Sequence, residues 1–146
     1  MPQDSISQGE LPGGPVSHKV QYRVIYGDTD KAGVMYYGNY FRLFEIGRTE
    51  LLRCRLDLPY SRLEEMGIIF PVVEAYARYK ASAHYDDLLE IETRLENNTR
   101  VSISFSYEIW REDKLLVSGH TKHASVDPTG RLIKIPQGIM EALAAR

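Results

Sequence analysis

The residues best able to do chemistry lie in one stretch, Gly27 to Tyr40, with the sequence GDTDKAGVMYYGNY. It places two carboxylates, Asp28 and Asp30, just ahead of a run with helical spacing. Unpaired N–H groups at a helix N-terminus suit an oxyanion or a polarised carbonyl. A carboxylate beside them can act as a general base or a nucleophile. On residue types alone, turn and capping chemistry is the stronger interpretation of Asp-Thr-Asp before a helix.

Other kinds of reactive site are poorly supported. Possible metal ligands are present, but they show no tight His/Cys spacing and no EF-hand loop; they are Asp28, Asp30, His18, His84, His120 and His123. The chain has no G-x-S-x-G elbow, and Cys54, near the end of the predicted helix, is typical of a packing residue. We therefore expect no metal, no cofactor and no covalent Ser or Cys chemistry.

Length and composition narrow the class of protein. The chain has 146 residues, 43% of them hydrophobic and 26% charged, as expected of one folded domain. A net charge of -2 argues against a nucleic-acid partner. No apolar run is long enough to span a membrane, and no leader pattern opens the chain. With one cysteine, no internal disulfide can form, so we expect a cytoplasmic protein.

The elements that must position the loop follow from periodicity. Residues 1–16 have the composition of a flexible tail, and residues 17–146 are expected to form a single domain. Apolar spacing predicts a largely buried helix from Asn39, as N-cap, to Cys54, and a small helix from Pro59 to Met66. Alternation of apolar and polar residues predicts strands at His18–Tyr26, Val72–Tyr85, Leu89–Glu96, Val101–Ile109 and Leu115–Val126. Pro136 is predicted to begin a last helix that ends at Ala145. This order predicts an α+β fold, an antiparallel sheet against one central helix. Small residues of the second strand, Ala75 to Ala83, would let that helix lie close.

The loop and helix residues resemble the 4-hydroxybenzoyl-CoA thioesterase group of hotdog-fold proteins, which includes the Tol-Pal-associated acyl-CoA thioesterases. The match covers about residues 22–126. Its motif pieces are Tyr26-Gly-Asp-Thr-Asp30, Ala32-Gly33-Val34, Tyr36, Asn39-Tyr40, Glu45, Arg48-Thr-Glu50 and a second block, Tyr85-Asp-Asp-Leu-Leu-Glu-Ile91. The resemblance implies a curved antiparallel sheet wrapped around a long helix, with two protomers pairing sheets and active sites at their interface.

The resemblance also implies roles for individual residues. Asp30 would be the catalytic carboxylate, and the backbone N–H of about Tyr37 the oxyanion donor. Gly33 and Val34 would line the acyl-CoA substrate. Glu45 matches an acidic helix position, where pairing with a neighbour on the helix is slightly favoured over substrate contact. Arg100 matches an arginine that some relatives use for coenzyme A phosphates, although its basic neighbours are replaced here by Thr99 and Val101.

Several alternatives stay open. The chain could hydrolyse acyl carrier protein thioesters, or bind acyl-CoA without catalysis. A hotdog hydratase is disfavoured because no histidine lies on the central helix or its leading loop. Some bacterial relatives carry histidine where this chain has Tyr37, a change that favours an aromatic or medium acyl group. A free sheet edge and a half-built site predict a homodimer, with a tetramer also common in the family.

Overall fold

A computed structural model describes residues 16–144. The predicted tail therefore lies outside the described residues, except for Val16, which is buried and accepts a hydrogen bond from the Leu95 N–H. In chain order the elements are β1 (Ser17–Arg23), a 3-10 turn (Tyr26–Asp28), α1 (Asn39–Leu56), α2 (Tyr60–Glu65), β2 (Val72–Tyr79), β3 (Leu88–Leu95), β4 (Ser102–Arg111), β5 (Lys114–Ala124) and α3 (Gln137–Ala144). Each helix and strand predicted from the sequence is present, with ends that differ by up to six residues.

The strands form one antiparallel sheet in the order β1-β3-β4-β5-β2. The hairpins β3-β4 and β4-β5 make its centre, so β1 and β2 are the two edges. Helix α1 lies against one face of the sheet. The predicted α+β arrangement with one central helix is confirmed.

Alternation in β3 and β4 decides which face of the sheet meets the helix. The inward residues of β3 are buried, whereas Glu90, Glu92 and Arg94 point to the other face. On β4 the inward ring of Tyr107 stacks on Phe44 of α1 at a centroid distance of 4.2 Å. This period of two is what a half-buried strand requires.

The close approach of helix and sheet comes from Gly47, and the prediction that the alanines of the second strand provide it is wrong. A Cβ built on Gly47 would lie 2.9 Å from Ile91 Cγ2 and closer still to Thr93 Oγ1. The predicted second strand ends early, at Tyr79, and Ala75 on it is exposed. Strand β2 packs against α1 far less than β1 and β3 do, so small residues on β2 do not set the distance between the helix and the sheet.

Two expectations for α1 also need correction. The helix is not largely buried, because its outer side, including Phe41 and Arg42, is exposed. The N-cap is Gly38, and Asn39 is the first helical residue. The Asn39 amide instead donates a hydrogen bond of 2.9 Å to the Asp28 carbonyl. The Asn39 side chain therefore does not cap the helix but links its first turn to the preceding loop by a hydrogen bond.

A buried polar chain crosses the core between α1 and the sheet. The His123 ring is fully buried, with Nε2 2.8 Å from Thr121 Oγ1 and Nδ1 3.1 Å from the Phe70 carbonyl. Thr121 Oγ1 lies in turn 2.6 Å from the Tyr107 hydroxyl. Burial, assisted by the charge of Arg48, lowers the pKa of His123 to about 4, against a weaker opposing effect of the Phe70 carbonyl. The imidazole is therefore neutral at pH 7.

Among the described helices, none has the length and apolar character needed to cross a bilayer.

Candidate active site

The polar loop before α1 is a tight, internally hydrogen-bonded turn. The Asp30 N–H donates to the Val34 carbonyl over 2.9 Å, and the Gly33 N–H donates to the Asp30 carbonyl over 3.0 Å. Gly33 has φ +86°, a backbone conformation that residues other than glycine adopt only with strain. The turn leaves Asp30 and Gly33 exposed, whereas Val34 is half-buried. Asp30 and its neighbours thus face outward from a fixed backbone.

Asp28 anchors the base of this loop. Its side chain is only 3% exposed, and its carboxylate accepts hydrogen bonds from the Tyr22 hydroxyl (2.7 Å) and the Ile25 N–H (2.9 Å) and pairs with Arg42. Its carbonyl also accepts the Tyr36 N–H. A carboxylate with this many donors is held as a structural group, so the two aspartates have separate tasks.

The start of α1 offers two free donors. The Tyr36 carbonyl accepts the Asn39 N–H, and the Tyr37 carbonyl accepts the Tyr40 N–H. The N–H groups of Tyr37 and Gly38 have no hydrogen-bond partner among residues 16–144. Amides at this end of a helix also lie at the positive end of its dipole. They can therefore bind a negatively charged oxygen.

The Asp30 carboxylate belongs to the turn that leads directly into these donors, and it keeps one oxygen available. Oδ1 accepts the Ala32 N–H at 2.9 Å, and no other partner of the carboxylate is found within the described part of the chain. Tyr37 follows three residues after Val34, the residue that pairs with Asp30, and three residues span at most about 10 Å. A carboxylate and an oxyanion donor on opposite sides of a small group can activate water or attack a carbonyl.

Glu45 and Arg100 do not join this arrangement. Glu45 is exposed on α1 two turns beyond Tyr37, without an ion pair or hydrogen bond inside the described residues, so the expectation of a pairing with a helix neighbour is wrong. Arg100 lies in the β3-β4 loop, where neighbouring Val101 accepts the Ser125 N–H. Tyr79, whose hydroxyl contacts the Tyr37 carbonyl, pairs instead with Val117 near the Leu116 end of β5. Nine strand residues separate the two ends, roughly 30 Å.

Two residues near the loop were missed from the sequence. The Tyr79 hydroxyl, at the end of β2, donates to the Tyr37 carbonyl over 3.2 Å, and its ring stands edge-on to that of Tyr37. His84 pairs with Val34 through an isolated antiparallel bridge, so an imidazole-bearing residue does lie next to the leading loop. Neither residue has a local motif, because each reaches the site from a distant part of the chain.

The rest of the surface near the loop is rich in exposed aromatic rings. The Tyr36 and Tyr37 rings lie 4.9 Å apart, and Tyr79 packs against both Tyr37 and the buried ring of Tyr40. Burial raises the pKa of Tyr40, more than its hydrogen bond from the Ala83 N–H lowers it. These rings form an apolar wall beside the polar donors. No cluster of three or more His, Cys, Asp or Glu side chains suited to a metal occurs in residues 16–144.

Comparison with known proteins places this chain in a family. Residues 24–143 match the model of the thioesterase-like superfamily. The chain is 36% identical to the acyl-CoA thioesterase YbgC of Haemophilus influenzae, over 72% of this chain and 77% of that protein. It is 32% identical to the 4-hydroxybenzoyl-CoA thioesterase of a Pseudomonas strain, over 63% of this chain and 67% of that one. The crystal structure of a hypothetical protein from Aquifex aeolicus superposes with a TM-score of 0.82 at 36% identity, covering 86% of this chain and 98% of the other. The expected hotdog architecture is confirmed, and the chain belongs to the thioesterase-like superfamily.

Proposed function

We propose that this protein is an acyl-CoA thioesterase that hydrolyses an acyl- or aroyl-CoA to the free acid and coenzyme A. The observation that carries the proposal is an exposed Asp30 carboxylate on the turn that leads into the unpaired N–H groups of Tyr37 and Gly38. Support comes from the relatives, since proteins named acyl-CoA thioesterases share this fold and up to 36% of their residues. The site residues themselves rest on the geometry and the sequence motif.

In the reaction, the thioester carbonyl oxygen sits at the Tyr37 N–H, the carbonyl carbon facing Asp30. Asp30 either takes a proton from water as the water oxygen attacks, or attacks the carbon itself to give a mixed anhydride that water then opens. In both routes the carbonyl oxygen becomes an oxyanion, the C–S bond breaks, and the sulfur leaves with its electron pair and is protonated to the thiol. One oriented oxyanion donor is worth about 10²–10³ in rate.

Gly33 and Val34 are placed to border the substrate because they form the same turn as Asp30. The exposed rings of Tyr36, Tyr37 and Tyr79 would contact the acyl group. Glu45 is free to meet substrate from α1. Arg100 can bind coenzyme A phosphates at this site only when it comes from a second copy of the chain, given its distance within one protomer.

The working unit is a homodimer that pairs through β2. This edge strand is almost wholly exposed and carries apolar side chains, with Val72 47% and Val73 55% exposed. An open edge with such residues is a template for pairing with another strand. The Tyr79 end of the same strand lies at the candidate active site, so pairing of β2 with a second copy would enclose one side of that site. We place the protein in the cytoplasm, where its exposed Cys54 stays reduced.

The test is release of free thiol from short, medium, long-chain and aromatic acyl-CoAs by the wild type, Asp30→Asn and Asp57→Asn. Asp57 is an exposed aspartate at the far end of α1, so its variant controls for the loss of one surface charge. Asp30→Asn should lower turnover at least about a hundredfold, with unchanged thermal unfolding. Equal rates in Asp30→Asn and Asp57→Asn would refute the role of Asp30. No thiol release by wild type from any acyl-CoA would redirect the proposal to carrier-protein thioesters or to binding alone.

A further inference from the structure

Two successive peptide groups at the start of α1 share one property: each has its carbonyl occupied and its N–H free. The peptide between residues 36 and 37 has its carbonyl bonded to the Asn39 N–H. The next peptide has the Tyr37 carbonyl, which accepts the Tyr79 hydroxyl as well as the Tyr40 N–H. A hydrogen bond to a peptide carbonyl polarises the whole amide, so the N–H on its other side becomes a stronger donor.

We propose that Tyr79 is a positioning residue that makes the Gly38 N–H a second oxyanion donor beside the Tyr37 N–H. This inference rests on the proposed function, because it assigns the oxyanion of the same thioester to two amides instead of one. Attack on the thioester carbon places the negative charge on the carbonyl oxygen, and both N–H groups donate to that oxygen until the C–S bond breaks.

The position of Tyr79 supports this role. It is the last residue of β2, and it reaches the start of α1 from a different segment of the chain than the loop that carries Asp30. Its ring is held between Tyr37 (6.0 Å, edge-on) and Tyr40 (5.5 Å). Burial raises the pKa of its hydroxyl, and the nearby Tyr37 raises it further, so the group stays a protonated donor at neutral pH. The hydroxyl is thus aimed at the Tyr37 carbonyl by packing on both sides.

The Tyr36 ring packs closely on Gly38, the residue that carries the second amide. Gly38 has no side chain, and a Cβ there would lie 2.8 Å from the Tyr36 ring. Any larger residue would therefore push this ring across the helix start. Glycine at this position therefore keeps the Tyr36 ring in place against the helix start.

Tyr79→Phe tests the inference because it removes only the hydroxyl and keeps the ring. Tyr76→Phe is the matched control: it lies on the same strand, but its ring stacks on His120 on the other face of the sheet. Removing a direct oxyanion donor costs about 10²–10³ in rate, and Tyr79 acts through one peptide, so we expect kcat to fall about tenfold in Tyr79→Phe. KM should change by less than about twofold, and Tyr76→Phe should match wild type.

A second readout does not depend on turnover. In a ¹⁵N-labelled sample, loss of the bond to the Tyr37 carbonyl should move the Gly38 amide nitrogen resonance upfield in Tyr79→Phe and leave it in place in Tyr76→Phe. Equal kcat in the two variants, or an unmoved Gly38 resonance, overturns the inference while the thioesterase activity stands. If the wild type releases no thiol, both the proposed function and the catalytic role of Tyr79 are refuted. The Gly38 resonance then still tests whether the Tyr79 hydroxyl polarises the peptide between Tyr37 and Gly38.

Discussion

Acidification from pH 7 to pH 5 should destabilise this protein through one buried side chain, His123. In the unfolded chain its imidazole has the ordinary pKa of 6.5 and takes up a proton as the pH falls through that value. In the native protein the pKa is about 4, so the ring stays neutral over this interval. The unfolded state then binds more protons, and the free energy of unfolding falls as the pH falls. The loss levels off below about pH 4, where the native ring is protonated as well.

The magnitude follows from the two pKa values. The difference between the native and unfolded pKa values of His123 corresponds to about 3 kcal/mol in the free energy of unfolding. About 2 kcal/mol of this stability is lost between pH 7 and pH 5. Urea unfolding at both pH values, at one fixed protein concentration because of dimerisation, measures the loss. His123→Gln removes the titrating group, so the variant should lose about 2 kcal/mol less than wild type over the same interval.

His120→Gln is the control, because it removes an exposed imidazole from the same strand. It keeps the His123 imidazole, so the loss that is smaller by about 2 kcal/mol should appear only in His123→Gln. Equal losses in wild type and His123→Gln would refute the reasoning. A proton NMR titration of the native His123 ring gives a direct check that needs no variant, and a midpoint near 6.5 instead of about 4 would contradict it equally.

Two further outcomes follow from packing and from the open sheet edge. Gly47→Ala should lower the free energy of unfolding by about 1–3 kcal/mol because its methyl group would overlap Ile91 and Thr93. Gly138→Ala in α3 is the control and should be neutral or stabilising, since a Cβ there meets nothing within 4 Å. Comparable losses of stability for the two variants in urea unfolding would contradict this account. Val73→Lys should weaken self-association at least about tenfold in sedimentation experiments, since lysine on an edge strand opposes pairing. Leu132→Lys, equally exposed but off the sheet, should leave association unchanged, and a wild-type monomer would rule out the dimer.

Much of the fold was readable from local patterns. Alternation in β3 and β4 predicted which side chains face the helix, and apolar spacing predicted α1 to within two residues. The stretch from Gly27 to Tyr40 also carried its own signal, because a tight turn, two carboxylates and a helix start are all local features. These properties depend on residues a few positions apart, where backbone geometry alone sets the period.

Other features required the assembled chain. Only the tertiary structure separated buried Asp28 from exposed Asp30, placed Arg100 at the far end of the sheet, and brought Tyr79 to the start of α1. The depth of burial of His123 was equally invisible, since one alternating strand carries it between half-buried neighbours. Strand order, and hence which residues meet across the sheet, depends on pairings between segments tens of residues apart. Local periodicity determines what each segment becomes, while the partners of a side chain depend on where the other segments dock.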